Sequence, residues 1–133
     1  MIASPLDRRT ILIIDDDDAS RDALAQILQT AGYQAHQAGN GQEALDWLET
    51  TSSPPGVILL DLDMPVIDGR KFLSCIPQGS MPQGSGATPI VIVITGEDPR
   101  FIPGAAAVLR KPIFLSQLLN LVQNLTLLRE KFD

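Results

Sequence analysis

Three unbroken aliphatic runs set the rhythm of the chain, and each ends in a polar residue. Ile11-Leu12-Ile13-Ile14 runs into Asp15, Val57-Ile58-Leu59-Leu60 into Asp61, and Ile90-Val91-Ile92-Val93-Ile94 into Thr95. A short run rich in β-branched residues, with no polar residue alternating through it, is how a strand covered on both faces reads. Between the runs the spacing turns helical. Leu24, Ile27, Leu28 and Ala31 share one helical face, with Asp17, Asp18 and Ser20 as N-cap candidates and Gly32 as the stop. Tyr33 to Ala38 is a weaker strand candidate. After Gly39-Asn40-Gly41, the residues Ala44, Trp47 and Leu48 mark a second helix, and Ser52-Ser53-Pro54-Pro55-Gly56 breaks the chain. A short helix is expected after Asp68-Gly69, through Phe72 and Leu73, then a weak strand at Ala107 to Leu109 and a closing helix from Ser116 to about Lys131.

Strands that alternate with helices pair in parallel through right-handed crossovers, so the fold class is α/β, a doubly wound sheet of five parallel strands between helices. Ligands of such folds sit beyond the carboxyl ends of the strands, where the strand order reverses. The polar strand ends are therefore where chemistry is expected. The stretch from Pro77 to Pro89 holds two near copies, Pro77-Gln78-Gly79-Ser80 and Pro82-Gln83-Gly84-Ser85, and cannot build a core element. It reads as a mobile loop, with partner docking as its functional alternative.

A length of 133 residues fits one core, so the expected organisation is a flexible lead-in over residues 1–9 and one domain over residues 10–133. Hydrophobic residues make up 44% and aromatic ones only 5%, which leaves aliphatic side chains to build the core. A formal charge of −6 argues against a nucleic-acid or anionic-membrane surface, since both need a basic face. Cys75 stands alone, so an internal disulfide or a multi-thiolate metal site cannot form. No apolar run approaches the roughly 20 residues of a membrane span, and the first residues lack the order of a secretory signal. The expected location is cytoplasmic.

Asp15 and Asp16 leave one strand end and Asp61 another, so neighbouring parallel strands would gather three carboxylates that repel one another unless a cation is present. An oxygen-only donor set suits a hard cation, Mg²⁺ first and Mn²⁺ as its substitute. By themselves the four aspartates from Asp15 to Asp18 would be cap and turn residues. What adds chemistry is the company of Asp61, Thr95 and Lys111-Pro112 at further strand ends. Phosphoryl transfer mainly needs positioning and positive charge around the equatorial oxygens. The metal and Lys111 would supply that charge, Asp61 would be the nucleophile that forms an acyl phosphate, and Thr95 would donate its hydroxyl to the new phosphate.

Taken together, Ile11-Leu12-Ile13-Ile14-Asp15-Asp16, Leu59-Leu60-Asp61-Leu62-Asp63-Met64-Pro65 with Asp68-Gly69, Ile94-Thr95 and Lys111-Pro112 resemble the receiver domain of bacterial response regulators. The resemblance spans nearly the whole chain, so residues 10–133 are expected to form the receiver. It implies a flavodoxin-like sheet of order 2-1-3-4-5 and phosphoryl donation by a histidine kinase or phosphotransfer protein. It implies that Asp61 is phosphorylated, that Asp16 and Asp61 bind Mg²⁺ directly, Asp15 through water, and that the Asp63 backbone carbonyl completes the protein ligands. Thr95 would be the switch hydroxyl and Lys111 the phosphate contact, with Pro112 in a peptide bond that many members hold cis.

Two departures from the family stand out. Between Thr95 and Lys111 the interval is short and holds Gly96, Pro99, Pro103 and Gly104, so the helix there is expected to be shortened or irregular, and Val108 stands at the usual aromatic switch position. In the closing helix Leu115, Leu118, Leu119, Val122 and Leu125 form a core stripe, while Leu121, Leu125, Leu128 and Phe132 extend the apolar surface, either for a homodimer or partner contact or because a shortened fourth helix leaves more of it to bury. With no effector segment after Asp133 in this sequence, output is expected through a downstream protein partner unless the chain is a piece of a longer protein. His36 reads as a surface residue and Trp47 as packing. One rival is a haloacid-dehalogenase-type phosphatase, which also pairs two aspartates as in Asp61-Leu62-Asp63, but its further acidic motif lies downstream and Pro65 stands where threonine or valine is expected. The other is a receiver-like module that works without phosphorylation. The reading adopted is a phosphoacceptor that assists its own phosphorylation, not a turnover enzyme.

Overall fold

The structure is a computed structural model and describes residues 7–63, 72, 89–97, 102 and 104–132. In chain order these form β1 (Asp7–Ile14), α1 (Asp18–Thr30), β2 (Gln34–Ala38), α2 (Gly41–Thr50), β3 (Pro55–Asp61), β4 (Ile90–Thr95), β5 (Ala107–Arg110) and α3 (Leu115–Phe132). The strands make one parallel sheet in the order β2-β1-β3-β4-β5, the doubly wound order the sequence implied.

The aliphatic runs become strands because both of their faces are covered. Leu12, Ile14, Ile58, Leu60, Val91 and Val93 point to one side and pack with Ala44 and Leu48 of α2 and with Phe72. Ile11, Ile13, Val57, Leu59, Ile92 and Ile94 point to the other, against Ala25 and Leu28 of α1 and Leu118 and Val122 of α3. Successive side chains of a strand alternate between faces, so an unbroken run fills two cores at once.

The helix ends follow local chemistry. Asp17 caps α1, its carboxylate accepting from Ser20 N at 2.9 Å. At the other end Gly32 takes φ +98°, and its N–H donates to Gln29 O while that of Tyr33 donates to Leu28 O, the paired bonds of a Schellman cap. α2 is opened by Asn40, whose side-chain oxygen accepts from Glu43 N at 2.8 Å while Glu43 reaches back to Gly39 N.

Three expectations need correction. β1 begins at Asp7 and so takes in residues 7–9 of the supposed flexible lead-in, because main-chain pairing of Asp7 with Pro55, across a register shift before Ile11, needs no apolar pattern. Leu115, expected on the core stripe of the closing helix, is 46% exposed in the first turn of α3, whereas Leu118 and Val122, one and two turns further on, are fully buried. His36 is not simply a surface residue: its ring stacks on Trp47 with centroids 4.1 Å apart and planes within 9°, and the resulting desolvation lowers its pKa.

Between β4 and β5 none of the described residues is helical, in keeping with the shortened helix expected there. Gly104 has φ +92°, and Ala106 N donates to Val91 O at 2.7 Å, which turns the chain straight into β5. The helix expected after Asp68-Gly69 lies outside the described residues except for the buried, helical Phe72, and the loop from Pro77 lies outside them up to Pro89. The side chains of Leu128 and Phe132 also lie outside them.

Candidate functional site

Parallel strands deliver their carboxyl ends to one edge of the sheet, and four of them carry the site. Asp15 follows β1, Asp61 ends β3, Thr95 ends β4 and Lys111 follows β5. The connections are tied by main-chain bonds across the sheet: Asp15 N donates to Ala38 O, Leu62 N to Ile94 O, and Lys111 N to Thr95 O. The Lys111-Pro112 peptide bond is cis.

Carboxylate oxygens of Asp15, Asp16 and Asp61 all lie within 4.8 Å of one another. Asp15 and Asp61 are almost buried and Asp16 is exposed, so the cluster opens to solvent on one side. Burial raises the Asp15 pKa to about 6; the Asp17 amide, 2.9 Å from Oδ1, works against this, and the Asp61 charge adds to it. A carboxyl held near 6 chiefly by burial, with further carboxylates beside it, is the kind of oxygen donor set that a dication would satisfy. The residues therefore fit a hard divalent cation.

Lys111 also reaches Asp61. Its Nζ is 3.3 Å from both Asp61 oxygens and 3.3 Å from Asp63 Oδ2. Partial burial lowers the ammonium pKa, but Asp61 and Asp63 raise it more, so it stays charged. Asp63 N donates to Asp61 Oδ1 at 2.8 Å, which fixes the plane of the Asp61 carboxylate. The Asp63 side chain has further partners of its own. It accepts from Thr95 Oγ1 at 2.9 Å and from Gly96 N at 2.6 Å. Partial burial raises its pKa, but the Gly96 amide, the Thr95 hydroxyl and Lys111 together hold it below the ordinary carboxylate range.

All the residues singled out in the sequence thus meet at one place: Asp15, Asp16, Asp61, Asp63, Thr95 and Lys111. Two further participants were missed. Arg21 donates from Nη1 to Asp15 O at 2.7 Å, from Nε to Gln37 at 3.1 Å and from Nη2 to Asp18 at 2.6 Å, so it pins the acidic turn to α1 and β2. Its spacing of three from Asp18 was the available signal. Gly96 was noted only as a helix breaker, yet a Cβ there would come 3.2 Å from Asp63 Oδ2.

Residues 11–123 match the response regulator receiver domain, and the chain belongs to that family. The family consists of phosphoacceptors of two-component signal transduction, and this is the class of the chain. Response regulator MprA of Mycobacterium tuberculosis is 33% identical over 115 residues, 82% of this chain and 46% of that protein. Sporulation initiation phosphotransferase F of Bacillus subtilis is 41% identical over 63 residues, 47% of this chain and 49% of that protein. The chain spans half or less of the length of these curated relatives. Among solved structures, a CheY-like receiver from Methanospirillum hungatei has a TM-score of 0.76 at 26% identity, over 98% of this chain and all of that one. Chemotaxis protein CheY4 of Vibrio cholerae has a TM-score of 0.72 at 27% identity, over 91% of this chain and 98% of that one. None of these relatives supports the phosphatase alternative. Among the described residues no helix is long and apolar enough to cross a membrane.

Proposed function

We propose that Asp61 accepts the phosphoryl group, from a histidine kinase or phosphotransfer protein, in a reaction that depends on Mg²⁺. The observation that carries this is the setting of the Asp61 carboxylate, almost buried, with two further carboxylates within 4.8 Å and the Lys111 ammonium 3.3 Å away. Asp61 Oδ1 is held by the Asp63 amide, which leaves Oδ2, beside Lys111, to form the bond to phosphorus while the donor's bond breaks and its leaving group takes the electron pair. Asp15, Asp16, Asp61 and the Asp63 carbonyl would hold Mg²⁺, or Mn²⁺, which when bound supplies positive charge to the transferring oxygens. Lys111 adds its own charge, and Thr95 offers its hydroxyl to the phosphoryl group once formed.

The chain is proposed to act in the cytoplasm as a phosphoacceptor, not as a turnover enzyme, and to pass the signal on by a change of shape read by a protein partner. Exposed Leu115 and Leu127 on α3, with Phe114 just before it, support such a contact, a second copy of the chain included. Intact mass after incubation with Mg²⁺ and acetyl phosphate tests the central step. One phosphoryl adduct is expected, on the peptide that holds Asp61 and lost when the metal is chelated; an adduct elsewhere, or none from folded protein, overturns it.

The raised pKa of Asp15 gives a second expectation. Cation binding has to displace its proton, so affinity falls as pH drops through about 6 and levels off above it. At pH 5 the half-saturating Mg²⁺ concentration is expected to be roughly tenfold higher than at pH 7.5, as one pH unit below the pKa implies. Calorimetric titration at the two pH values, with proton release measured, checks it; equal affinities would contradict it.

A further inference from the structure

Asp63 carries a carboxylate for which the phosphoacceptor chemistry above has no use, since only its main-chain carbonyl enters. Yet it gathers three donors from separate segments: the Thr95 hydroxyl at 2.9 Å from the end of β4, the Gly96 amide at 2.6 Å from the turn after it, and Lys111 Nζ at 3.3 Å from beyond β5. The missing Cβ of Gly96 lets this approach happen.

Hydroxyl, amide and ammonium are the donors that a phosphoryl group on Asp61 would also need, because it brings further negative oxygens to the same space. They are not in surplus. A threonine hydroxyl has one hydrogen and a backbone amide one, so neither serves two anions fully at once. Two anions around one set of donors also repel each other. Asp63 is two residues from Asp61 and is joined to it by its own amide, so it cannot leave the neighbourhood; its side chain can only turn away.

The geometry points to the Asp63 carboxylate as a resident competitor of the phosphoryl group, seated on Thr95, Gly96 and Lys111 until phosphorylation displaces it. The inference rests on Asp61 being the phosphoacceptor. In the unphosphorylated chain the Thr95 hydroxyl is already engaged, towards Asp63, so the switch exchanges one anion for another instead of recruiting a free hydroxyl. The ease of that exchange sets how readily the phosphorylated form is populated.

The test uses the full chain at saturating Mg²⁺, with beryllium fluoride as an acyl-phosphate mimic and acetyl phosphate as donor in parallel. Asp63→Asn removes the charge and one acceptor, Asp63→Ala removes the side chain, and Glu97→Gln removes an exposed neighbouring charge as a control. Neither Asp63 variant touches the main-chain groups. Competition predicts that both lower the half-saturating beryllium fluoride concentration by on the order of tenfold, the equivalent of one charge-assisted seat, and speed adduct formation in parallel. Glu97→Gln should stay within about twofold, as expected of a screened charge.

Unchanged or weaker binding by both Asp63 variants, with melting curves showing them folded, overturns the inference. So does an equal gain from Glu97→Gln, which would reduce Asp63 to a charge among others. A wild-type chain that neither binds beryllium fluoride nor takes an adduct would remove the Asp61 assignment itself, a failure told apart by being visible without any variant.

Discussion

Asp61→Asn is expected to take no phosphoryl adduct where the wild-type chain takes one, and to melt at a higher temperature than wild type when metal is absent. The first effect follows from the loss of the nucleophilic oxygen, since an amide does not form an acyl phosphate. The second follows from the crowding of Asp15, Asp16 and Asp61, whose oxygens lie within 4.8 Å. Asparagine keeps an oxygen for the Asp63 amide, and Lys111 keeps Asp63 as a partner, so the main loss is repulsion.

The pH dependence has a definite sign. Because the Asp15 pKa is raised from 3.8 to about 6 in the folded chain, that chain holds a proton which the unfolded one has released over this window. Its contribution is most favourable below pH 4 and is lost as pH rises through 6. The gain from Asp61→Asn should therefore appear at pH 7 to 8, on the order of 1 kcal/mol or about 3 °C, and shrink towards pH 4. Added Mg²⁺ should stabilise the wild type far more than the variant. A lower metal-free midpoint for the variant would mean that the attraction between Asp61 and Lys111 outweighs the repulsion. A surviving adduct would move the phosphoacceptor elsewhere.

Leu12→Ala is expected to be the most damaging of the conservative core changes. Leu12 is completely buried in β1, paired with His36 of β2 on one side and Ile58 of β3 on the other. Truncation there leaves a cavity in the core on the face of the sheet that packs with Ala44, Leu48 and Phe72, a loss of about 2–5 kcal/mol and a midpoint lower by roughly 10 °C or more. Leu115→Ala makes the same chemical change at a 46% exposed site and should stay within about 0.5 kcal/mol. Paired denaturant titrations decide it: similar losses at the two positions would show that Leu115 is covered, by a second copy or another partner.

The sequence announced what was buried on both sides and was quiet about the rest. Ile11 to Ile14, Val57 to Leu60 and Ile90 to Ile94 are unbroken because each strand feeds two cores, so their positions and their polar ends could be found by inspection. Asp7 to Arg9 could not, because main-chain pairing at the start of a strand leaves no trace in side-chain pattern. Leu115 misled because helical spacing says which residues share a face but not where along the helix burial begins. The strand ends placed Asp15, Asp61, Thr95 and Lys111 in one site, whereas the direction of the Asp63 side chain depends on a bond to Thr95 across 32 positions, which no local pattern encodes. The stacking of His36 on Trp47 was hidden for the same reason.

β4 and β5 are fastened together where the site ends, by Lys111 N to Thr95 O at 2.8 Å. Val108, half-buried on β5 opposite Val93, is β-branched and stiff, and has no ring to swing. A displacement of the main chain at Thr95 would be expected to be felt at the end of β5 through this tie, more like a sliding bar than a turning key. The bar ends in the open: β5 is the outermost strand of its side of the sheet. The edge it offers is one of main-chain contour and spacing, not the posture of a single side chain.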